Sequence, residues 1–164
     1  MTSKKVILVG HFGVGKTSLV RQFVHQKFSD EYLTTIGVKI DKKLMSFSDN
    51  REVTLILWDI AGETSSSKIP ASYKLGAHGI LYVFDVSRPS TFENLTDQIS
   101  DLRKLLPGVP VICLANKSDL LSENFRENIR KEIGDQKLLF SSAKTGENVQ
   151  TAFEEITKEI MSWD

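Results

Sequence analysis

Residues Gly10-His11-Phe12-Gly13-Val14-Gly15-Lys16-Thr17 fit the pattern G-x-x-x-x-G-K-[ST], and that pattern has a mechanism. Glycines let the backbone wrap closely round a phosphate, while amide N–H groups and the start of a following helix face the anion. Lys16 is expected to reach the β- and γ-phosphates of a nucleoside triphosphate, and the Thr17 hydroxyl to bind Mg²⁺. The pattern names a triphosphate but not a base. Asn116-Lys117-Ser118-Asp119 supplies a base reader, because a carboxylate at Asp119 accepts both the N1–H and the exocyclic amine of guanine. Adenine lacks that paired donor edge. Alone, N-K-x-D is an ordinary polar turn; downstream of a phosphate loop it points to guanine. Asp59-Ile60-Ala61-Gly62 puts a further carboxylate at the end of an apolar run, where ligands gather in open α/β folds.

These segments need a scaffold, and the hydrophobic pattern describes one. Lys5–Gly10 is a continuous apolar run, as expected of a strand covered on both faces. Leu19, Val20, Phe23 and Val24 then recur at helical spacing, predicting a helix from about Lys16 to Gln26. Val38–Phe47 and Glu52–Asp59 read as an antiparallel hairpin turning at Ser48-Asp49-Asn50. Gly79–Asp85 and Pro110–Asn116 read as buried strands, with a helix between them marked by Phe92, Leu95, Ile99, Leu102 and Leu105. Lys137–Phe140 reads as a short last strand, and Ala152, Phe153, Ile156 and Ile160 mark a closing amphipathic helix. The order β-α-β-β-α-β-α-β-α-β-α predicts an α/β fold of the P-loop type: a six-stranded, mostly parallel sheet with one antiparallel strand and helices on both faces. No internal repeat, low-complexity segment or linker divides the chain, so residues 1–164 are expected to form one domain.

Composition narrows the function classes. The 164 residues carry 21 basic and 21 acidic side chains, a balance that argues against a nucleic-acid binder. The single cysteine, Cys113, excludes an intrachain disulfide framework and suits a reducing, cytoplasmic compartment. No apolar stretch is long enough to span a bilayer.

With these motifs in order, the chain resembles a small GTPase of the Ras superfamily, with the Rab branch closest, over essentially its whole length. The resemblance rests on the Gly10–Thr17 loop, a threonine within YLTTIG, Asp59-Ile60-Ala61-Gly62, Asn116-Lys117-Ser118-Asp119 and Ser142-Ala143-Lys144. Its Rab-like flavour comes from Ile36-Gly37-Val38, Trp58 before Asp59, and Tyr73 ahead of Gly76-Ala77-His78-Gly79. It implies that Gly13, Val14, Gly15, Lys16, Thr17 and Ser18 hold the phosphates of GTP or GDP, and that Phe28 packs against the guanine. Thr35 would complete the Mg²⁺ shell only with a γ-phosphate present, and Asp59 would hold Mg²⁺ through water. The Gly62 N–H would touch the γ-phosphate, Lys117 would lie along the base, and Ala143 would give its N–H to guanine O6, supported by Ser142 and Lys144. Lys16, Thr35, Gly62 and residue 63 would form the hydrolytic centre. Two loops, Ser29–Val38 and Gly62–Leu75, would be tethered by the γ-phosphate and Mg²⁺ and released after hydrolysis, presenting a state-dependent surface to effector, exchange and activating proteins. Ser65-Ser66-Ser67 gives the second loop a weakly packing sequence. Rab proteins use an aromatic trio on that surface; the aligned residues here are Ile40, Trp58 and Tyr73.

Two residues depart from the family pattern. The glutamine that usually orients the attacking water is Glu63, which when ionised only accepts hydrogen bonds and brings negative charge towards the γ-phosphate; as a base it would instead polarise the water. The next residue, usually a second acid, is Thr64. Phe12 stands where the family keeps a small residue, in the space a partner's arginine finger enters; folded outward it would leave that space open. These departures imply slow intrinsic turnover and poor arginine-finger activation. The competing readings are a GTP-binding module with negligible hydrolysis, and a P-loop phosphotransferase, which the guanine motif and the lack of an obvious lid segment disfavour. The chain ends at Ser162-Trp163-Asp164 with no cysteine beyond Cys113 and no glycine at position 2, so no lipidation signal is present. Either an anchoring tail lies outside this chain, making the protein peripheral to a membrane, or it uses no lipid, as a prokaryotic Rab-like protein would.

Overall fold

Strand patterning fixes the two faces of the sheet. In the computed structural model, which describes residues 2–31, 34–63 and 68–162, β1 (Thr2–Val9) sends Val6 and Leu8 into one apolar layer and Ile7 and Val9 into the other. It is followed by α1 (Lys16–His25), β2 (Val38–Ser46), β3 (Glu52–Ile60), α2 (Ala71–Lys74), β4 (Gly79–Asp85), α3 (Leu95–Leu105), β5 (Val111–Asn116), α4 (Glu123–Ile133), β6 (Leu138–Phe140) and α5 (Val149–Met161). The six strands form one sheet in the order β2-β3-β1-β4-β5-β6; only the β2–β3 pair is antiparallel. The expected architecture is therefore present, with its one antiparallel strand at an edge.

Each sheet face is sealed by helices. Leu19, Val20 and Phe23 of α1 join Ala152, Phe153, Ile156 and Ile160 of α5 in one layer, where the rings of Phe23 and Phe153 stack at 3.9 Å. Leu95, Ile99 and Leu102 of α3 join Ile129 and Ile133 of α4 in the other. The central strands β4 and β5 are buried along their whole length, as parallel strands covered on both faces must be.

The structure moves several expected boundaries. β1 begins at Thr2 rather than Lys5, because its first four residues pair only with β3 (Thr2↔Val53 to Lys5↔Ile56) while β4 joins from Val6. Polar side chains are tolerated on that one-sided stretch, so the apolar run does not reveal it. Phe92 does not open α3. Thr91 Oγ1 accepts from the Asp85 N–H at 3.0 Å and lies 2.7 Å from the Arg88 carbonyl, closing a 3₁₀ turn over Pro89–Thr91 before the helix begins at Leu95. Phe92 still packs on Phe84, with ring centroids 4.8 Å apart. The remaining ends shift by one residue: β1 stops at Val9, β2 stops at Ser46, β3 runs on to Ile60, β5 starts at Val111, β6 starts at Leu138, and α1 stops at His25 where Gln26 turns left-handed at φ 56°.

Candidate functional site

The C-terminal ends of β1, β3 and β5 open into a cleft of about 330 Å³, the position at which open α/β sheets bind ligands. The loop from β1 to α1 forms its floor, and its carbonyls are all turned back into the protein. Lys16 Nζ donates to the carbonyls of Gly10 (3.0 Å) and His11 (2.9 Å), and Arg88 donates to Phe12 O at 3.0 Å. Lys117 Nζ donates to Gly13 O at 3.0 Å, Asn116 Nδ2 to Val14 O at 2.9 Å, and the Leu19 amide to Gly15 O at 2.9 Å. Six consecutive carbonyls are thus pinned from outside. The amides of residues 13–18 find no acceptor among the described residues, which leaves a row of donors at a helix start, as an anion requires. A side chain at Gly15 would be strained: the residue sits at φ 104°, and a Cβ there would lie 2.3 Å from Asn116 Nδ2 and displace the amide that holds Val14 O.

Lys16 is only 6% exposed. Burial lowers its ammonium to about 8, with the charge of Asp59 opposing the shift. A buried cation without a salt-bridged anion is costly, so phosphate oxygens in the cleft would relieve it.

Three oxygen-bearing side chains from three elements meet beside Lys16. Thr17 Oγ1 donates to Asp59 Oδ2 at 2.5 Å and lies 2.6 Å from Thr35 Oγ1, which is itself 3.3 Å from the same carboxylate oxygen. Asp59 is 1% exposed, and its Oδ1 is buried with no hydrogen-bond partner. Burial drives its pKa up, against the hydroxyls of Thr17 and Thr35 and the charge of Lys16. An orphaned buried carboxylate oxygen beside two hydroxyls is a hard-oxygen donor set that fits Mg²⁺. Among the described residues no group of three or more His, Cys, Asp or Glu side chains could hold a metal; this set has one carboxylate and two hydroxyls.

The same cleft is lined by Phe28, Asn116, Lys117, Asp119, Leu120, Ala143 and Lys144. Lys117 stands at a left-handed φ of 63°, an uncommon conformation for a residue with a side chain. Its ammonium lies 2.9 Å from Asp85 Oδ2, which takes no directed hydrogen bond, so the contact is one of charge alone. Ser142 Oγ donates to Asp119 Oδ1 at 2.7 Å, fixing that carboxylate in the cleft. Ala143 is buried and its N–H has no partner among the described residues.

The expected site residues divide between the cleft and its supports. Gly13, Gly15, Lys16, Thr17, Ser18, Phe28, Thr35, Asp59, Gly62, Asn116, Lys117, Asp119, Ala143 and Lys144 line it. The Val14 and Ser142 side chains stand behind it, Val14 in the core and Ser142 on Asp119. Glu63 is exposed and outside the lining, whereas Phe12 is 54% exposed and within it. Residues 32–33 and 64–67 lie outside the described residues, and with them Thr64 and the Ser65-Ser66-Ser67 reading. Ile40 and Trp58 sit opposite one another on β2 and β3, and Trp58 and Tyr73 ring centroids are 6.3 Å apart. Lys5 Nζ lies 3.6 Å over the Trp58 ring and donates to Leu75 O at 2.9 Å.

Sequence reasoning missed several supports. Asp85 and Arg88 come from the end of β4, which carries no local motif. Glu147 is another: it accepts from Ser118 Oγ at 2.5 Å and from both Arg126 guanidinium nitrogens at 2.7 and 3.1 Å. Its carbonyl accepts from the Ser142 amide at 3.0 Å. One residue therefore ties the Asn116–Asp119 turn to the Ser142–Lys144 turn, and no spacing rule announces it. Compared with known protein families, the chain matches the model of the Ras family over residues 5–162.

Proposed function

The chain belongs to the Ras family and is a GTP-binding switch GTPase; from that premise we propose how this cleft performs the cycle and which residues carry it. The observation that carries the proposal is the meeting of Thr17, Thr35 and Asp59 beside Lys16, in one cleft whose lining also includes Asp119 and Ala143. Guanine lies against Phe28, with Asp119 accepting from N1–H and the amine and the Ala143 N–H donating to O6. The amides of residues 13–18 and the Lys16 ammonium take the phosphates. Thr17 and Thr35 would hold Mg²⁺ directly and Asp59 through water, and the ion would there supply charge neutralisation to the phosphates.

The switch is read at Thr35. Its hydroxyl reaches the cluster only while the first loop is folded against α1 and β3, so loss of the γ-phosphate removes the reason for the loop to stay. The Gly62 N–H serves the second loop in the same way. Hydrolysis is slow: Glu63 cannot donate to an attacking water and adds negative charge, and Phe12 occupies part of the cleft mouth. The surface carrying Ile40, Trp58 and Tyr73 gives the protein a Rab-like binding face, and the protein works in the cytoplasm.

A second reading, a GTP-bound module that scarcely hydrolyses, is favoured by the position of Glu63 outside the cleft lining. One experiment separates the two. The purified protein is denatured and its nucleotide identified, then a GTP-loaded sample is followed for phosphate release in a single turnover, with and without Mg²⁺. Bound GDP and slow, Mg²⁺-dependent release support the switch. Retained GTP with no release supports the module, and an adenine nucleotide refutes the role given to Asp119.

A further inference from the structure

A second cleft, of about 570 Å³, lies on the outer side of Thr35, between α1, the first loop and the start of β2; Thr17, Arg21, His25, Thr34, Thr35, Ile36 and Lys39 line it. Its charge is one-sided. Arg21 and His25, one helical turn apart on α1, and Lys39 on β2 bring cationic or imidazole groups, and among the described residues no carboxylate lines the cleft. The whole chain has equal numbers of acidic and basic side chains, so this is a local excess. The Arg21 and His25 side chains engage in no hydrogen bond or ion pair among the described residues. Lys39 reaches Asp41 at 3.9 Å, too long for a strong pair, and acts on the buried Asp59 across the β2–β3 ladder by charge without a direct bond. On the rim stands Ile36, 91% exposed.

We propose that this cleft is a docking site for an acidic segment of a partner protein, whose carboxylates meet Arg21, His25 and Lys39 while an apolar residue covers Ile36. The inference rests on the switch reading above and gives the chemistry of the partner that reads it. One wall of the cleft is Thr34, Thr35 and Ile36, and Thr35 is held by its hydroxyl contacts to Thr17 and Asp59. The cationic wall on α1 is independent of that loop. Only when Thr35 is docked do the two walls enclose a cleft, so an acidic segment binds the GTP form in preference. By linkage, the segment in turn tightens the grip on GTP by the same factor. A concave site with an apolar rim suits a protein segment rather than a flat anionic membrane, to which clustered surface cations bind without enclosure.

The test uses the full chain loaded with a non-hydrolysable GTP analogue or with GDP. The probe is a labelled peptide of about a dozen residues in which aspartate and glutamate flank two leucines; a lysine version of the same length and vesicles containing about one-third phosphatidylserine serve as comparisons. The expected result is binding of the acidic peptide at least about tenfold tighter to the analogue form than to the GDP form. It weakens with salt, and the His25 ring and Arg21 side-chain NMR signals shift on titration. Arg21→Glu abolishes it while leaving nucleotide affinity and melting temperature unchanged. Equal binding to both nucleotide forms, equal binding of the lysine peptide, an undiminished Arg21→Glu complex, or binding to vesicles alone would each overturn the proposal. A protein that binds GTP and GDP normally yet ignores the peptide refutes this inference alone. One that binds neither nucleotide refutes the switch reading beneath it.

Discussion

Replacing Gly62 by alanine tests whether the second loop reads the γ-phosphate through its backbone. A Cβ built on Gly62 lies 2.4 Å from both Cα and N of Phe12 and 2.7 Å from the His11 carbonyl carbon. Ordinary contact begins at 3.4 Å, so the methyl requires a displacement of 3.4 − 2.4 = 1.0 Å. The obstacle is backbone and cannot rotate away. The phosphate loop cannot easily retreat either, since its carbonyls are held by Lys16, Arg88, Lys117 and Asn116. The second loop therefore yields, and a hydrogen bond stretched by that much is lost. A bond to a charged acceptor contributes about 1.5–3 kcal/mol, or roughly 10- to 150-fold in affinity. Gly62→Ala is expected to weaken binding of a non-hydrolysable GTP analogue by that factor and leave GDP affinity within about twofold, both measured by fluorescent-nucleotide displacement. Equal losses for GTP analogue and GDP would place the strain in the phosphate loop and refute the reasoning, as would an unchanged GTP affinity in a variant that melts normally.

Four further outcomes are expected. Asp119→Asn exchanges an acceptor for a donor at the guanine amine, so GTP affinity falls by at least about tenfold while xanthosine triphosphate, which carries a carbonyl there, gains; competition binding checks it. Glu147→Ala frees Ser118 and Arg126 together and loosens both base turns, raising the nucleotide dissociation rate by roughly fivefold, about 1 kcal/mol for partly exposed bonds. Phe12→Gly and Glu63→Gln are each expected to speed single-turnover hydrolysis, and the pair together to restore stimulation by an arginine supplied in trans, which in comparable enzymes reaches about 10³-fold or more. Burial pushes the Cys113 thiol and the Tyr82 phenol up to about 12, from ordinary values of 9.0 and 10.0. Above pH 9 the unfolded chain ionises first, so the stability these groups contribute below pH 9 is lost progressively towards pH 12; melting temperatures fall over that window, and a thiol reagent labels Cys113 at pH 8 only at the unfolding rate.

The parts of the site legible in the sequence are those written contiguously. Gly10–Thr17, Asp59–Gly62 and Asn116–Asp119 each sit at the C-terminal end of one strand, where sequence spacing shows them, whereas Ser142–Lys144 is legible only through the family resemblance. The strands show because β4 and β5 are apolar on both faces. Arg88 on Phe12 O and Glu147 between two turns were not legible, because each bond crosses between elements whose approach is decided by the core. The same holds for the basic cleft: Arg21 and His25 share a helix face by spacing, but Lys39 joins them only once β2 is laid beside the first loop. The start of α3 was misread because the Thr91 hydroxyl spends itself on a turn, a competition that hydrophobic periodicity does not register.

The sheet has two open edges, and they are managed differently. β6 is three residues long and offers too little ladder for another chain to extend. β2 is nine residues long and lies at the other edge, with Lys39, Asp41, Lys42 and Lys43 along it. A flat apolar strand in that place would be a template for growth into fibres. The lysines act as gatekeepers there, so that a second copy approaching strand to strand meets like charge. The face on which a nucleotide-dependent partner is expected to land thus carries charge that disfavours strand-to-strand growth between copies.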